Sequence, residues 1–242
     1  MRTWGITDTG MVRETNQDVF FASYGEDMAI AIVCDGMGGA RAGNIASKIA
    51  CDILVDEIQR RRKPGASLFE LEKDIADAIE IANTVVFEMA NSNNNYFGMG
   101  TTMVGVIANE HEALVFHIGD SRAYLLSDSK LSRITRDHSI VEYYLSQGKI
   151  TEEEAKKHPQ RNLITRVLGP DKEVEPEFIR LEVNKGDWIM LCSDGLIDMV
   201  DDETIEKILT KDKSGHAACK RLINAANTRG GLDNVTVAIV SI

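Results

Sequence analysis

The spacing of three apolar runs sets the narrowest limit on how this chain can fold. Residues 101–108, 113–118 and 122–126 each read as a β-strand, and only four and then three residues separate them. A parallel pair needs a crossover of a dozen or more residues, whereas an antiparallel pair closes through a short turn. These runs therefore predict neighbouring antiparallel strands. Further apolar runs at 18–22, 28–34, 187–192 and 234–240 predict four more.

Two helical patterns lie between the runs at 28–34 and 101–108. From about 43 to 60, Ile45, Ile49, Ile53 and Ile58 keep one face apolar. Ser67 and Glu70 have capping-box spacing, and Leu68, Leu71, Ile75, Ile79, Ala82, Val86 and Met89 follow at three- or four-residue intervals. Lys63, Pro64 and Gly65 separate the two helices, and the polar tract 91–95 ends the second. Residues 138–169 are polar, with short helical stretches and no strong strand, and read as a flap over the body. A last helix at roughly 214–228 is closed by Gly230 and Gly231. The order fits an α+β fold of two mainly antiparallel sheets flanked by helices better than a doubly wound parallel sheet. No break is long enough for a domain linker, so 1–242 is expected to be a single domain.

Composition narrows the function classes. The 242 residues are 43% hydrophobic and 27% charged, ordinary values for a globular chain. A net charge of −11 argues against nucleic acid, which would need clustered Lys and Arg. No apolar run approaches the roughly 20 residues that span a bilayer, and the first residues lack a signal pattern, so a soluble, cytoplasmic protein with no membrane partner is expected. Monomer is the default expectation. Cys34, Cys51, Cys192 and Cys219 are widely spaced and read as small core residues.

The acids are informative by position. Asp18 opens an apolar run, Asp35 follows one, Asp120 sits in a short turn between two, and Asp194 and Asp233 flank the last two. Each Asp-Gly or Gly-Asp pair alone is also an ordinary hairpin-turn dipeptide. Five acids gathered at one end of a sandwich, however, would be costly to desolvate unless paired or neutralised by cations. None of these patterns has a His or Cys partner at zinc spacing, and oxygen-only ligation favours Mg²⁺, Mn²⁺ or Ca²⁺. The glycine-rich segment 35–43 lies between strand and helix as a dinucleotide-binding turn would, but Arg41 occupies the third glycine's place and Asp35 would face the phosphates.

An ordered set of motifs then carries a resemblance over nearly the whole chain. Asp8-Thr9-Gly10 with Arg13 and Asn16-Gln17-Asp18 comes first, followed by Asp35-Gly36-Met37-Gly38-Gly39 and Gly98-Met99-Gly100-Thr101-Thr102. Ile118-Gly119-Asp120-Ser121-Arg122, Thr135-Arg136-Asp137-His138-Ser139 and Arg161-Asn162-Leu163-Ile164-Thr165-Arg166 continue it. Leu191-Cys192-Ser193-Asp194-Gly195-Leu196 and Asp233-Asn234-Val235-Thr236-Val237 complete it. The set resembles the metal-dependent type 2C protein serine/threonine phosphatases, particularly the compact bacterial form.

The resemblance implies a four-layer α-β-β-α sandwich and a core site for two Mn²⁺ or Mg²⁺ ions, with a third, weaker ion. By that likeness Asp35 bridges two ions, with the Gly36 carbonyl on one of them. Asp194 and Asp233 are ligands of the first ion, Asp18 serves the second, and Asp120 with Asp194 forms the third site. Arg13 matches the guanidinium that holds substrate phosphate, a task suited to its planar fork. Catalysis, with Arg13 and Asp35 central, would be direct in-line attack of a metal-bridging hydroxide on phosphoserine or phosphothreonine, without a phosphoenzyme. The implied partners are phosphorylated proteins and a cognate Ser/Thr kinase of the same cell.

Met37 stands where animal members often carry a proton-donating His, so the resemblance leaves the general acid unassigned. His138 is the tempting substitute, but Asp137 or Ser139 beside it reads as the cap of a helix starting at Ile140. His117 reads as a satisfied core residue. Arg161 and Arg166 lie in the flap and either contact substrate or, the favoured reading for exposed charge, pair with surface acids such as Glu152 to Glu154, and the flap is expected to select protein substrates. A catalytically inactive binding or scaffold domain is the rival reading; it sits poorly with retention of all five acids.

Overall fold

A computed structural model describes residues 1–25, 27–61, 67–212 and 214–242, with the backbone alone at 40 and 41. The strands are β1 (Arg2–Asp8), β2 (Asp18–Tyr24), β3 (Ala29–Met37), β4 (Gly100–Thr101), β5 (Met103–Ala108), β6 (Glu112–Ile118), β7 (Arg122–Ser127), β8 (Lys130–Arg133), β9 (Glu177–Glu182), β10 (Trp188–Cys192) and β11 (Val235–Ser241). The helices are α1 (Gly39–Arg61), α2 (Leu71–Ser92), α3 (Ile140–Ser146), α4 (Glu152–Lys157), α5 (Asp194–Ile197), α6 (Asp202–Lys211) and α7 (Gly215–Thr228).

One sheet has the order β1-β11-β10-β7-β8, and the other runs β2-β3-β5-β6-β9 with β4 added beside β3. Every pairing is antiparallel. The short gap between β5 and β6 closes an antiparallel pair as expected, but β6 and β7 are not neighbours: they lie in different sheets, so the turn at 119–121 crosses from one layer to the other. Strand alternation explains the layers. Along β3, Ala29, Ala31 and Val33 join Val104, Val106, Ile189, Leu191 and Ala238 in the core between the sheets. The alternate residues Ile30, Ile32 and Cys34 face the outside of the sheet and pack with Leu54, Ile75 and Ile79 of α1 and α2. On the opposite outer face, Met190, Val237 and Ile239 pack with Ile205, Leu222 and Ile223 of α6 and α7. Small Ala and Val side chains let the sheets approach closely, while larger Ile and Leu fill the helix layers. The result is the four-layer α-β-β-α sandwich.

Several local expectations are corrected. Ser67 does cap a helix start, but its Oγ accepts from the Phe69 N–H at 3.1 Å, and it caps a 3₁₀ turn, Leu68–Glu70, ahead of α2, so the capping box with Glu70 does not form. The break at Lys63, Pro64 and Gly65 lies outside the described residues. Helix α1 starts at Gly39 rather than 43, within the glycine-rich segment. Strands β1, β8 and β9 were not anticipated; β1 and β9 are sheet edges that mix charged with apolar residues, as at Glu177–Glu182. All four cysteines are free and buried, and no helix among the described residues is long and apolar enough to cross a membrane.

Candidate active site

The acids meet at one end of the sandwich because the register puts them there. Asp18 is directly opposite Asp35 across the β2–β3 pair, so their side chains share one face. Asp35 lies inside β3 rather than after it, because β4 pairs with Gly36 and Met37 and prolongs the strand. Continuing the alternation of Ala29, Ala31 and Val33, Asp35 points between the sheets, where the opposing sheet presents Asp194 at the start of α5 and Asp233 just before β11. Asp120 stands in the turn from β6 to β7.

Buried hydrogen bonds fix the backbones that carry these acids. The Asp35 N–H donates to Thr102 Oγ1 at 3.1 Å, and its carbonyl accepts from the Thr102 N–H and the Thr101 hydroxyl, each at 2.9 Å. Thr102 Oγ1 also lies 2.8 Å from the hydroxyl of Ser121, the residue after Asp120, so one threonine ties two acid-bearing segments together. The Ser193 hydroxyl donates to Asp18 Oδ2 at 2.7 Å and accepts from the Thr236 N–H at 3.0 Å, joining β2 to the β10–β11 layer. Asn234 binds three residues of the 9–17 loop at once: Oδ1 accepts from the Gln17 N–H, and Nδ2 donates to the carbonyls of Thr9 and Thr15. Gly195 is pressed against this residue so closely that a methyl group would overlap the Asn234 carbonyl oxygen.

These carboxylates strain against their surroundings. Burial, with Asp233 nearby, raises Asp18 to about 6 despite the Ser193 hydrogen bond. Burial followed by Asp137 raises Asp120 to about 6. Burial raises Asp35 well above the ordinary carboxylate range, reinforced by Asp18, Asp194 and Asp120, and raises Asp194 likewise, reinforced by Asp120, Asp233 and Asp18. Among the described residues, Oδ1 of Asp18, of Asp120 and of Asp194 is buried without a hydrogen-bond partner. Mutual repulsion plus orphaned oxygens is the electrostatic signature of a site built for cations, and the all-oxygen donor set suits hard divalent ions.

Arg13 is 54% exposed and its Nη2 donates to Asp233 Oδ2 at 2.7 Å. Asp233 Oδ1 accepts from the Asn234 N–H at 2.8 Å, so both its oxygens are engaged by protein. Gly36 is confined by packing, since a methyl group there would overlap the Gly43 carbonyl oxygen of α1.

The structure therefore brings together Asp18, Asp35, Gly36, Asp120, Asp194, Asp233 and Arg13. Reading the sequence missed Asp198, one helical turn beyond Asp194, whose carboxyl is raised chiefly by burial and relieved by Arg161. Its spacing of four from Asp194 was the available signal. Ser139, not Asp137, caps α3 by accepting from the Glu142 N–H. Asp137 instead takes a bidentate pair from Arg122 and a further bond from Arg133. Arg161 donates to Asn162 and the Lys156 carbonyl and Arg166 to the Glu175 carbonyl, rather than to Glu152 to Glu154. His117 is only half satisfied: Nε2 lies 3.1 Å from Glu177 Oε2, while Nδ1 is buried without a partner among the described residues.

Comparison with known proteins identifies the family. The family model described as protein phosphatase 2C matches residues 12–227. Protein phosphatase PhpP of Streptococcus pneumoniae is 38% identical over 240 residues, which cover 98% of this chain and 95% of that one. The crystal structure of serine/threonine phosphatase Stp1 from Staphylococcus aureus is similar at a TM-score of 0.92 and 35% identity, covering 99% of this chain and 94% of its own. The catalytic domain of serine/threonine protein phosphatase PstP in complex with two manganese ions gives 0.85 at 34%, covering 99% and 97%. With identity above a third maintained from end to end, in sequence and in fold, the chain belongs to the protein phosphatase 2C family.

Proposed function

We propose that the acid cluster is the catalytic centre of this metal-dependent protein serine/threonine phosphatase, in which Asp35 would be the carboxylate shared by two divalent ions. The observation that carries the assignment is the convergence of five aspartates at one end of the sandwich, three of them with a buried oxygen that has no partner among the described residues. Asp194 and Asp233 would hold the first ion and Asp18 would serve the second, with the Gly36 carbonyl on one of the two, and Asp120 with Asp194 would form a weaker third site.

Bound Mn²⁺ or Mg²⁺ supplies Lewis acidity, lowering the pKa of water and neutralising phosphoryl oxygens. The chain supplies placement. Thr102, Ser193 and Asn234 hold the acids rigidly, so little reorganisation is needed as charge develops. Arg13 would bind phosphate oxygens through its fork, and turning Nη2 toward phosphate would leave Asp233 Oδ2 available to an ion. Its exposure gives it the freedom to move.

Residues 1–242 work as one phosphatase domain, with 138–169 as a flap that selects among phosphorylated proteins. Its base is closed by the bridges Thr101↔Leu168 and Ser139↔Ile164, so the segment between can vary without disturbing the acid cluster. A Ser/Thr kinase is the counterpart whose products the enzyme reverses, and the working state is a cytoplasmic monomer. The test is hydrolysis of phosphothreonine peptides with Mn²⁺, with chelator, and in Asp35→Asn. Activity that survives chelation and the substitution contradicts the assignment.

A further inference from the structure

We propose that His138 is a positioning residue for the Asp120 turn, held by Glu177 in the one tautomer that lets it act. The inference rests on the assignment of Asp120 to the weaker ion site.

Asp120 depends on its turn for placement, because its Oδ1 has no partner among the described residues. The turn is entered through Gly119, whose φ of +105° is left-handed and whose missing side chain leaves room for Thr102. His138 grips this glycine twice. Its backbone N–H donates to the Gly119 carbonyl at 2.8 Å, and the Gly119 N–H donates to its Nδ1 at 3.1 Å. The His138 carbonyl in turn accepts from the Thr165 N–H at 2.7 Å, so the residue also stands where the flap joins the body.

A neutral imidazole carries one N–H, and accepting at Nδ1 places it on Nε2. That N–H has an acceptor: Nε2 lies 3.2 Å from Glu177 Oε2, nearer than the 3.4 Å to Arg166 Nη1. Arg166 can only donate and so competes for Nε2 only in the other tautomer, the one that the Gly119 N–H on Nδ1 disfavours. Glu177 sits opposite His117 across the β6–β9 pair, and the two histidine rings stack with centroids 4.4 Å apart. Glu177 thus sets the tautomer, the tautomer sets the acceptor, and the acceptor holds the Gly119 N–H. His117, His138 and Glu177 also have the ligand spacing of a cation site. The proton on His138 Nε2 removes the lone pair such a site would require, so a positioning role accounts for the arrangement better.

Glutamine and asparagine separate the two nitrogens. His138→Asn keeps an acceptor near the Nδ1 position, whereas His138→Gln moves its amide toward Nε2 and releases Gly119. Glu177→Leu removes the tautomer's anchor but also takes the partner from buried His117 Nε2, so its melting temperature is read against its Mn²⁺ affinity, and Glu177→Gln retains an acceptor. Mn²⁺ binding to each purified protein is followed by calorimetry, alongside the melting temperature. His138→Gln and Glu177→Leu are expected to weaken the weakest Mn²⁺ step about ten-fold, the lower end for groups that orient metal ligands. His138→Asn and Glu177→Gln should stay within about three-fold of wild type on that scale, and the tighter steps should not move. Lowered melting with unchanged Mn²⁺ affinity, or equal losses in His138→Asn and His138→Gln, would overturn the proposal. Asp120→Asn serves as the reference. If it leaves every Mn²⁺ step unchanged, the ion assignment of Asp120 fails, whatever His138 does.

Discussion

Asp18 and Asp35 face each other directly across the β2–β3 ladder, a like-charge pair at a position where sheets normally place attractive partners. Strand register forces this proximity, and only neutralisation by protons or cations relieves it. Asp35→Asn is therefore expected to abolish most phosphatase activity, by on the order of 10²-fold or more as for loss of one preorganised electrostatic group. The same variant should melt higher than wild type in chelator at neutral pH. Comparing turnover with melting temperature separates loss of function from loss of fold.

The acid cluster also fixes how the ion-free protein responds to pH. Asp18 moves from 3.8 to about 6 on folding, so its favourable contribution is present below the unfolded value and is lost as pH rises through about 6. For Asp18 this is on the order of 3 kcal/mol between the two ends of that window. In chelator, the cluster makes the protein relatively more stable near pH 5 than near pH 7.5. Added Mn²⁺ should raise the melting temperature much more at pH 7.5, where the carboxylates are ionised. Melting curves at both pH values, with and without Mn²⁺, check the sign.

Arg13 Nη2 donates to Asp233 Oδ2, a contact that competes with an ion on that oxygen and with phosphate on that guanidinium. Arg13→Ala is expected to raise KM for a phosphopeptide about ten-fold, the worth of one charge-assisted hydrogen bond, with a smaller change in kcat. Mn²⁺ affinity should be unchanged or higher, because the competing guanidinium is gone. Steady-state kinetics and a Mn²⁺ titration read the two effects separately.

Gly36 is required for space. In Gly36→Ala the new methyl group would collide with backbone at Gly43, which cannot swing aside as a side chain could. The expected destabilisation is about 1–3 kcal/mol or more, typical of overpacking. Thermal unfolding should show it as a drop of several degrees, together with lost activity as Asp35 shifts.

Much of this was legible because period and position survive in a sequence. The short gaps around 109–112 and 119–121 left no room for parallel crossovers, and the acids at strand ends marked one edge of the sandwich. What did not show was whatever depends on pairing between distant segments. Strand β9 alternates charged and apolar residues and looks like any surface stretch until His117 is seen opposite Glu177. Ser193, Thr102 and Asn234 are unremarkable polar residues until burial makes their hydrogen bonds decisive. Choosing Ser139 over Asp137 as a cap required knowing that Arg122 and Arg133 already claim the aspartate.

The most direct test of the central claim is anomalous-scattering crystallography of the protein grown with Mn²⁺. The account expects two strong manganese peaks flanking Asp35, with Asp194 and Asp233 on the first ion, Asp18 serving the second, and Arg13 released from Asp233. Manganese bound at His117, His138 and Glu177 while the aspartate cluster holds none would contradict it.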